Sequence, residues 1–345
     1  MEPADALDRI AYLLDRAREA PYRVRAYKRA AEVVRGVPPE EVATRAARGT
    51  LTELEHLGPK TAAIVVETLR DGEPSYLREL EATTAVVAGA GDDLRAALRG
   101  DCHSHSDWSD GGSPIEVMAR AARALGHEYQ VLTDHSPRLT VANGLSPERL
   151  SHQLDVVAEL NEVFEREAAS GEAPPFRLLT GIEVDILDDG SLDQSDAMLS
   201  RLDLVVASVH SKLRMDAAAM TRRMATAVAN PHVDVLGHCT GRIVVGKGRP
   251  ESEFDAELVF HACQRYDTAV EINCRPERLD PPRRLLAMAV DAGCRFSIDT
   301  DAHAPGQLEW QPYGCDRAAE ARIEPDRIVN AMGLADLRSW TAGHG

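Results

Sequence analysis

Nine imidazoles and carboxylates stand at equivalent places in this sequence. They are His103 and His105 in GDCHSH, Asp110 in the following SDWSDGG, His135 closing YQVLTDH, Glu183 in RLLTGIEVDI, His210 closing LDLVVASVH, His238 in VDVLGHC, and Asp301 with His303 in CRFSIDTDAH. The pairs two residues apart put both side chains on the same side of an extended segment, so each pair can serve one cluster. Imidazole and carboxylate without a clear thiolate suit zinc, manganese or iron, not calcium. Nine such groups suffice for two or three divalent ions if one carboxylate bridges. Closely spaced ions can share a hydroxide and clamp the attacking and leaving oxygens of an in-line displacement. That chemistry points to hydrolysis of phosphate esters without a Ser or Cys nucleophile. A metal-dependent amide or amidine hydrolase would use a similar ligand list.

A lone buried histidine is more often a satisfied core residue than a ligand. Here six of the twelve histidines end strand-like runs, and packing has no reason to gather imidazoles there. His56, His127, His152, His232, His261 and His344 lack this setting and read as helix, loop or surface residues.

The ligands converge only if the elements carrying them share one face. From residue 100 onward seven β-type runs alternate with helical stretches: the six that carry ligands, and TAVEIN, the sixth in order. The helices have readable ends: Ser113-Pro114 starts one that stops at Gly126, Ser146-Pro147-Glu148 opens another, and PPRRLLAMAVDAG closes at Gly293. Near-continuous apolar strands alternating with helices predict an α/β chain with a parallel barrel, whose strand C-termini all point to one mouth. Glu271 and Asn273, ending the sixth strand, are placed to support ligands from behind.

Residues 1–81 read as helices only, with Leu7, Ile10, Leu13, Leu14 and Ala17 on one face. TELEHLGPKTAAIVVETLRDGE reads as two short helices around a tight turn, in which Gly58 is free to take positive φ, Pro59 starts the second helix and Lys60 stands beside it. Free backbone N–H groups there would face an approaching anion. Residues 82–99, rich in Ala and Gly, read as a linker, and 100–345 as the barrel domain.

The formal net charge of −17 repels nucleic acid on average, so any DNA contact must be local. No signal-peptide pattern or membrane-length apolar run is present, and the six cysteines form no CxxC pair. A cytoplasmic protein with reduced thiols, and no membrane partner, is expected; the oligomeric state is left open.

The set DCHSHS…SDG, LTDHS, GIEVDI, ASVHS, LGHCTGR and IDTDAH resembles the PHP (polymerase and histidinol phosphatase) domain over residues 100–335. TDHSPRLTVANGLSPERL, VEINCRPERLD and YGCDRAAEARI resemble the form of that domain found in bacterial family X DNA polymerases. PYRVRAYKRAAEVV and LGPKTAAIVVETL resemble the helix-hairpin-helix region of the same enzymes. The resemblance implies a distorted (β/α)7 TIM-like barrel preceded by a small all-α helix-hairpin-helix domain. It also implies a trinuclear site: one ion on His103, His105, Glu183 and Asp301, a second on Glu183, His210 and His238, a third on Asp110, His135 and His303. Three departures count. Residues 82–99 leave no room for a polymerase region, Ile64 stands where related lyase domains place their Schiff-base lysine, and His56 replaces the first glycine of the hairpin.

A phosphate also needs cations. Arg242, Lys247 and Arg249 follow His238, and Arg275 and Arg278 follow the sixth strand; Lys212 and Arg214 are weaker candidates. Arg242 and Asp301 are expected at the chemistry, with Arg242, Lys247, Arg249 and Arg275 as substrate contacts. Gly58, Lys60, Arg25 and Lys28 are the candidate DNA contacts of the helical domain. The expected activity is metal-dependent cleavage at DNA 3′ ends, as a 3′–5′ exonuclease or 3′-phosphatase. A small-molecule phosphatase of the histidinol phosphate type and a non-enzymatic DNA-binding adaptor are the alternatives.

Overall fold

The computed structural model describes residues 1–86 and 89–343, so His344 lies outside the described residues. Two compact units divide the chain. The first comprises Met1–Val87 with Pro305–Gln307, and the second Ala88–Ala304 with Leu308–Gly345.

The first unit is helical: Pro3–Arg16, Pro21–Gly36, Pro39–Arg48, Pro59–Asp71 and Ser75–Thr83. Four of these helices begin on proline, whose fixed φ and missing N–H cost nothing at the first position. Leu7, Ile10, Leu13 and Leu14, on the face expected from their spacing, form its core with Ala30, Ala31, Val65 and Leu77, while Ala17 of that expected face is exposed. In the hairpin the left-handed residue is His56 (φ 65°), not Gly58, which is extended (φ −86°) and caps the helix Pro59–Asp71. The turn needs a left-handed residue two positions before the cap, and a Cβ-bearing histidine holds it there at some cost in strain.

In the second unit seven parallel strands lie in sequence order: β1 Gly100–Asp101, β2 Tyr129–Leu132, β3 Arg177–Asp185, β4 Leu204–Ser208, β5 Val235–Leu236, β6 Ala269–Asn273 and β7 Phe296–Asp299. A parallel bridge between Ser104 and Ala302 joins the first strand's extension to the last, bringing the sheet near closure as a barrel. Helices Ile115–Ala124, Pro147–Ser170, Ala217–Val228, Ala256–Arg265 and Arg283–Asp291 alternate with the strands. Side-chain caps fix three of them: Ser146 accepts from Arg149 N, Asp216 from Ala218 N, and Asp255 from Leu258 N.

The first and fifth strands are much shorter than the strand-like runs GDCHSH and VDVLGHC that contain them. The backbone N–H groups of Cys102, His103 and Ser104 donate to the side chains of Asp299 (2.9 Å), Asp101 (3.1 Å) and Thr133 (3.0 Å), and that of His238 to Glu271 (2.5 Å). Side-chain acceptors thus replace ladder carbonyls where the ligands begin, which is the physical origin of the distorted barrel. The stretch read as a linker holds a helix, Asp92–Ala97, in the barrel's unit, where Gly91 N donates to Asp316 (2.8 Å).

Gly181 on β3 has no room for a methyl group: a Cβ there would lie 2.6 Å from Val131 Cγ1 and 2.8 Å from Leu204 O. Gly181→Ala should lower unfolding stability by about 1–3 kcal/mol, read as a shifted denaturant midpoint at unchanged m-value. An unshifted midpoint would show that β3 yields to the added group.

Candidate metal centre

β3 delivers Glu183 to the middle of the barrel mouth, and four histidines from four other strand ends close on its carboxylate. Oε1 lies 2.8 Å from His238 Nε2 and 3.2 Å from His210 Nε2, while Oε2 lies 2.9 Å from His135 Nδ1 and 3.3 Å from His103 Nε2. Asp301 Oδ1 sits 3.4 Å from His105 Nε2 and 3.9 Å from His103 Nε2. Asp110, reaching in from the loop after β1, sits 3.3 Å from His303 Nε2 and 3.4 Å from His135 Nε2. Three overlapping sets have donor atoms within 4.8 Å of one another: His103, His105 and Asp301; His135, Glu183 and His210; and His105, Asp110, His135 and His303. All nine expected ligands are therefore in one place, with His238 joining through Glu183. His135 faces Asp110 and Glu183 with different nitrogens, so it stands between two of the sets.

The donor chemistry fits metal ions on structural grounds. His105 and His210 leave both buried ring nitrogens without a hydrogen bond, and His103 leaves Nε2 so. A fold does not bury unsatisfied imidazole nitrogens around carboxylates unless something else engages them. The imidazole rings crowd one another, His105 and His303 at 4.2 Å between centroids and His105 and His135 at 4.5 Å, an arrangement that apolar packing would not select.

Burial disfavours every charge here, and the cluster overrides it selectively. Against burial, the neighbouring His210, His103 and His135 hold Glu183 well below the usual carboxylate range, and Arg275 and His103 do the same for Asp301. Against burial again, Glu183 and Asp185 raise His210 to about 9, and Glu183, Glu271 and Asp301 raise His103. Burial wins at His105, pushed well down with help from the neighbouring His303 and His135.

Behind the ligands stand acids that orient them. His103 Nδ1–H donates to Glu271 Oε1 (2.6 Å), which fixes the proton on Nδ1 and turns Nε2 toward Glu183. Asn273 Nδ2 donates to both Glu271 (3.2 Å) and Asp301 (3.1 Å), so the sixth strand supports the site as expected. Sequence reasoning missed the hubs on other strands. Buried Asp134 accepts from Ser106 N (2.8 Å), Ser106 Oγ (2.6 Å), Ser109 Oγ (2.5 Å) and Gln153 Nε2 (2.7 Å), tying down the loop that carries Asp110. Arg149 donates to the carbonyl of Trp108 in the same loop and to that of Asn143 in the loop after β2, tying the two loops together. Asp185 accepts from His210 N (3.2 Å). The only sequence signal for Asp134 and Asp185 is their place one and two residues from a ligand.

The expected cations take different stations. Arg242 donates from Nε to Arg278 O (2.9 Å) and from Nη2 to Leu279 O, and pairs with Glu251 (3.3 Å). Arg275 is turned onto Asp301, donating to its carbonyl (3.1 Å), and onto Glu277. Arg249 donates to Gly241 O (2.5 Å), and Lys247 is exposed. Arg278 lies against Asp301 Oδ2 (3.2 Å) with a buried Nη1 that makes no hydrogen bond. Cys239 is buried with its thiol toward Asp280, and half-buried Trp108 packs on His152 (5.2 Å). In the helical unit Gly58 and Lys60 line a cleft with Tyr22, Arg23 and Tyr27, Arg25 is exposed, and Lys28 pairs with Asp15 (3.3 Å).

A family model described as the PHP domain matches residues 101–275, just over half of the 345-residue chain. The chain belongs to the PHP domain family. A helix-hairpin-helix domain model matches residues 1–74 ahead of the PHP domain. The chain is 38% identical over 243 residues to the Bacillus subtilis "DNA polymerase/3′-5′ exonuclease PolX", an alignment that covers 70% of this chain and 41% of that protein. A probable phosphatase of Thermoanaerobacter sp. is 29% identical over 241 residues, covering 67% of this PHP-domain chain and 89% of the relative. The crystal structure of histidinol phosphate phosphatase from Lactococcus lactis, complexed with zinc, L-histidinol and phosphate, aligns with a TM-score of 0.44 at 16% identity, covering 66% of this chain and 95% of that one. Among the described residues no helix is long and apolar enough to cross a membrane.

Proposed function

We propose that this PHP-domain phosphoesterase acts on DNA 3′ ends, removing a terminal nucleotide or phosphate. Two or three divalent ions, zinc, manganese or iron, would be held by His103, His105, Asp110, His135, Glu183, His210, His238, Asp301 and His303. The observation that carries the phosphoesterase reading is the nine-residue cluster around buried Glu183, with arginine against it. When bound, the ions supply Lewis acidity toward a phosphoryl oxygen and activation of water.

The chain's own residues do the rest. Arg278, fixed by Asp301 and with Nη1 uncommitted, is the cation best placed to meet a phosphate oxygen. Arg242 and Arg275 hold the Arg278 and Asp301 backbone from either side, so their contribution to substrate is through placement of those two residues. The helical domain, residues 1–81, supports the choice of DNA: the N-terminus of Pro59–Asp71, with Gly58, Lys60 and the exposed Arg25, presents N–H groups and positive charge to a phosphate backbone. Lys28 is partly neutralised by Asp15. The barrel, residues 100–345, cuts.

One observation favours a small phosphomonoester instead: a probable phosphatase aligns with this chain over most of its own length. Purified protein supplied with Mn²⁺ or Zn²⁺ and offered 3′-labelled single-stranded DNA, 3′-phosphorylated DNA and histidinol phosphate in parallel separates the readings. The expected result is turnover of a DNA substrate that is lost in His103→Ala and Asp301→Ala. Preference for histidinol phosphate would reverse the assignment, and undiminished activity in both variants would remove the metal mechanism altogether.

A further inference from the structure

We propose that an open groove beside the β5 loop binds single-stranded DNA leading to the reacting 3′ end, stacking a base on Phe254 and neutralising phosphates with Lys247 and Arg249. The proposal rests on the DNA reading above and assigns the strand a track outside the metal cluster.

The loop after β5 turns back on itself: Ile243 and Arg249 pair as an antiparallel bridge, and Gly246 and Gly248 take φ of 60° and 65° at its tip. The groove beside this hairpin has a volume of about 840 Å³, toward the upper end of the ~300–1,000 Å³ range of ligand clefts. Its walls combine two features that single-stranded nucleic acid requires. The first is an aromatic face: half-buried Phe254 lines the groove and is braced from behind by Phe260, edge to face at 6.3 Å. Aromatics are only 4% of this chain, so one displayed beside cations is not background composition. The second is local positive charge in a chain of net −17. Arg242, Lys247, Arg249 and Arg284 outnumber the two acids of the wall, Glu251 and Glu253.

The balance between those charges decides the ligand. Glu251 is already paired with both Arg242 and Arg284, so it does not repel an incoming phosphate as an isolated carboxylate would. Lys247 stands exposed at the hairpin tip, and Arg249 is anchored through Nε on Gly241 O, which leaves its outer nitrogens to the groove. Ser252, only 5% exposed, has a buried Oγ without a hydrogen bond on the same wall. The combination of stacking surface and backbone-neutralising cations matches a polynucleotide strand better than a compact monoester, which one phosphate-sized pole would satisfy. Arg242 makes the groove continuous with the chemistry, since it lines the wall and also donates to the carbonyl of Arg278, the residue against Asp301.

The test compares kcat/KM for oligodeoxythymidylates of increasing length, from the dinucleotide upward, in the full chain with Mn²⁺. The wild type should favour longer strands. Phe254→Leu should cut that length advantage by about tenfold, while Phe254→Tyr keeps it. Lys247→Ala should flatten the dependence of log KM on log salt by about 0.7 for each phosphate that the lysine no longer neutralises. Leu and Ala variants with wild-type length and salt dependence would overturn the proposal, as would wild-type DNA cleavage indifferent to length. Turnover of histidinol phosphate with no cleavage of any oligonucleotide overturns the DNA reading itself, and this track with it, a result distinct from DNA cleavage without length preference.

Discussion

Glu183→Gln should lose phosphoesterase turnover by about three orders of magnitude and retain little metal. The substitution keeps size and shape, so the loss measures the second carboxylate oxygen and the charge. Oε1 and Oε2 each face two histidine nitrogens within 3.3 Å. A glutamine amide would turn an NH₂ group toward two of those nitrogens, and an NH₂ can neither ligate a metal nor accept a proton from a ring. The charge matters as much. Burial resists the Glu183 carboxylate, yet the surrounding His210, His103 and His135 hold it ionised far below its usual range, which makes it the anion that balances the imidazoles. In reverse, removing it withdraws the main support for protonated His210, which stands near 9 beside Glu183 and Asp185. Steady-state kinetics and elemental analysis of protein prepared without chelator check this together. A variant with full metal content and near wild-type kcat/KM would show that Glu183 fills space among ligands and does not bridge them.

The ligands were legible because a parallel barrel leaves little freedom. Strands such as LDLVVASVH and YQVLTDH are buried on both faces, so they read as apolar runs, and a polar residue at their C-terminal end stands out. What lies around the ligands was much less legible. Asp134 and Asp185 look like any acids beside a strand end, and the partners that define them, Ser106, Ser109 and Gln153 for one and the backbone of His210 for the other, come from distant segments. Arg242 follows His238 closely, but sequence spacing does not say that the carbonyls of Arg278 and Leu279 claim its guanidinium. The same holds in the hairpin, where residue type favours Gly58 for positive φ and the turn geometry assigns it to His56. In the Ala- and Gly-rich stretch before β1, the helix Asp92–Ala97 exists because Gly91 N and Asp316 lock it to the unit it precedes, a tertiary cause that composition cannot display.

Glu271→Gln should weaken metal binding by about 10- to 100-fold while leaving the metal-free protein folded. Glu271 touches no expected ion; it acts through His103 and His238. Its two oxygens serve three donors: Oε1 takes the His103 Nδ1 proton at 2.6 Å, and Oε2 takes the His238 backbone N–H at 2.5 Å and the Asn273 amide at 3.2 Å. Glutamine offers one acceptor and one donor in the same space. Either His103 loses the partner that keeps its proton on Nδ1, or the N–H of His238 faces another N–H inside a site where Glu271 is fully buried. The first outcome frees His103 to place its proton on Nε2, the nitrogen that faces Glu183 at 3.3 Å, and a protonated nitrogen does not ligate. The second displaces the strand end that carries His238. Each outcome degrades a ligand set, the first through His103 and the second through His238, so competition with a chromogenic chelator should show weaker binding of the tightest ion. A purely structural role predicts otherwise: the melting midpoint of the metal-free variant would fall while its metal affinity stayed at the wild-type value. Excess Mn²⁺ separates the two again, because it should restore most of kcat to a variant whose ligands are mispositioned and none to one whose barrel mouth has come apart.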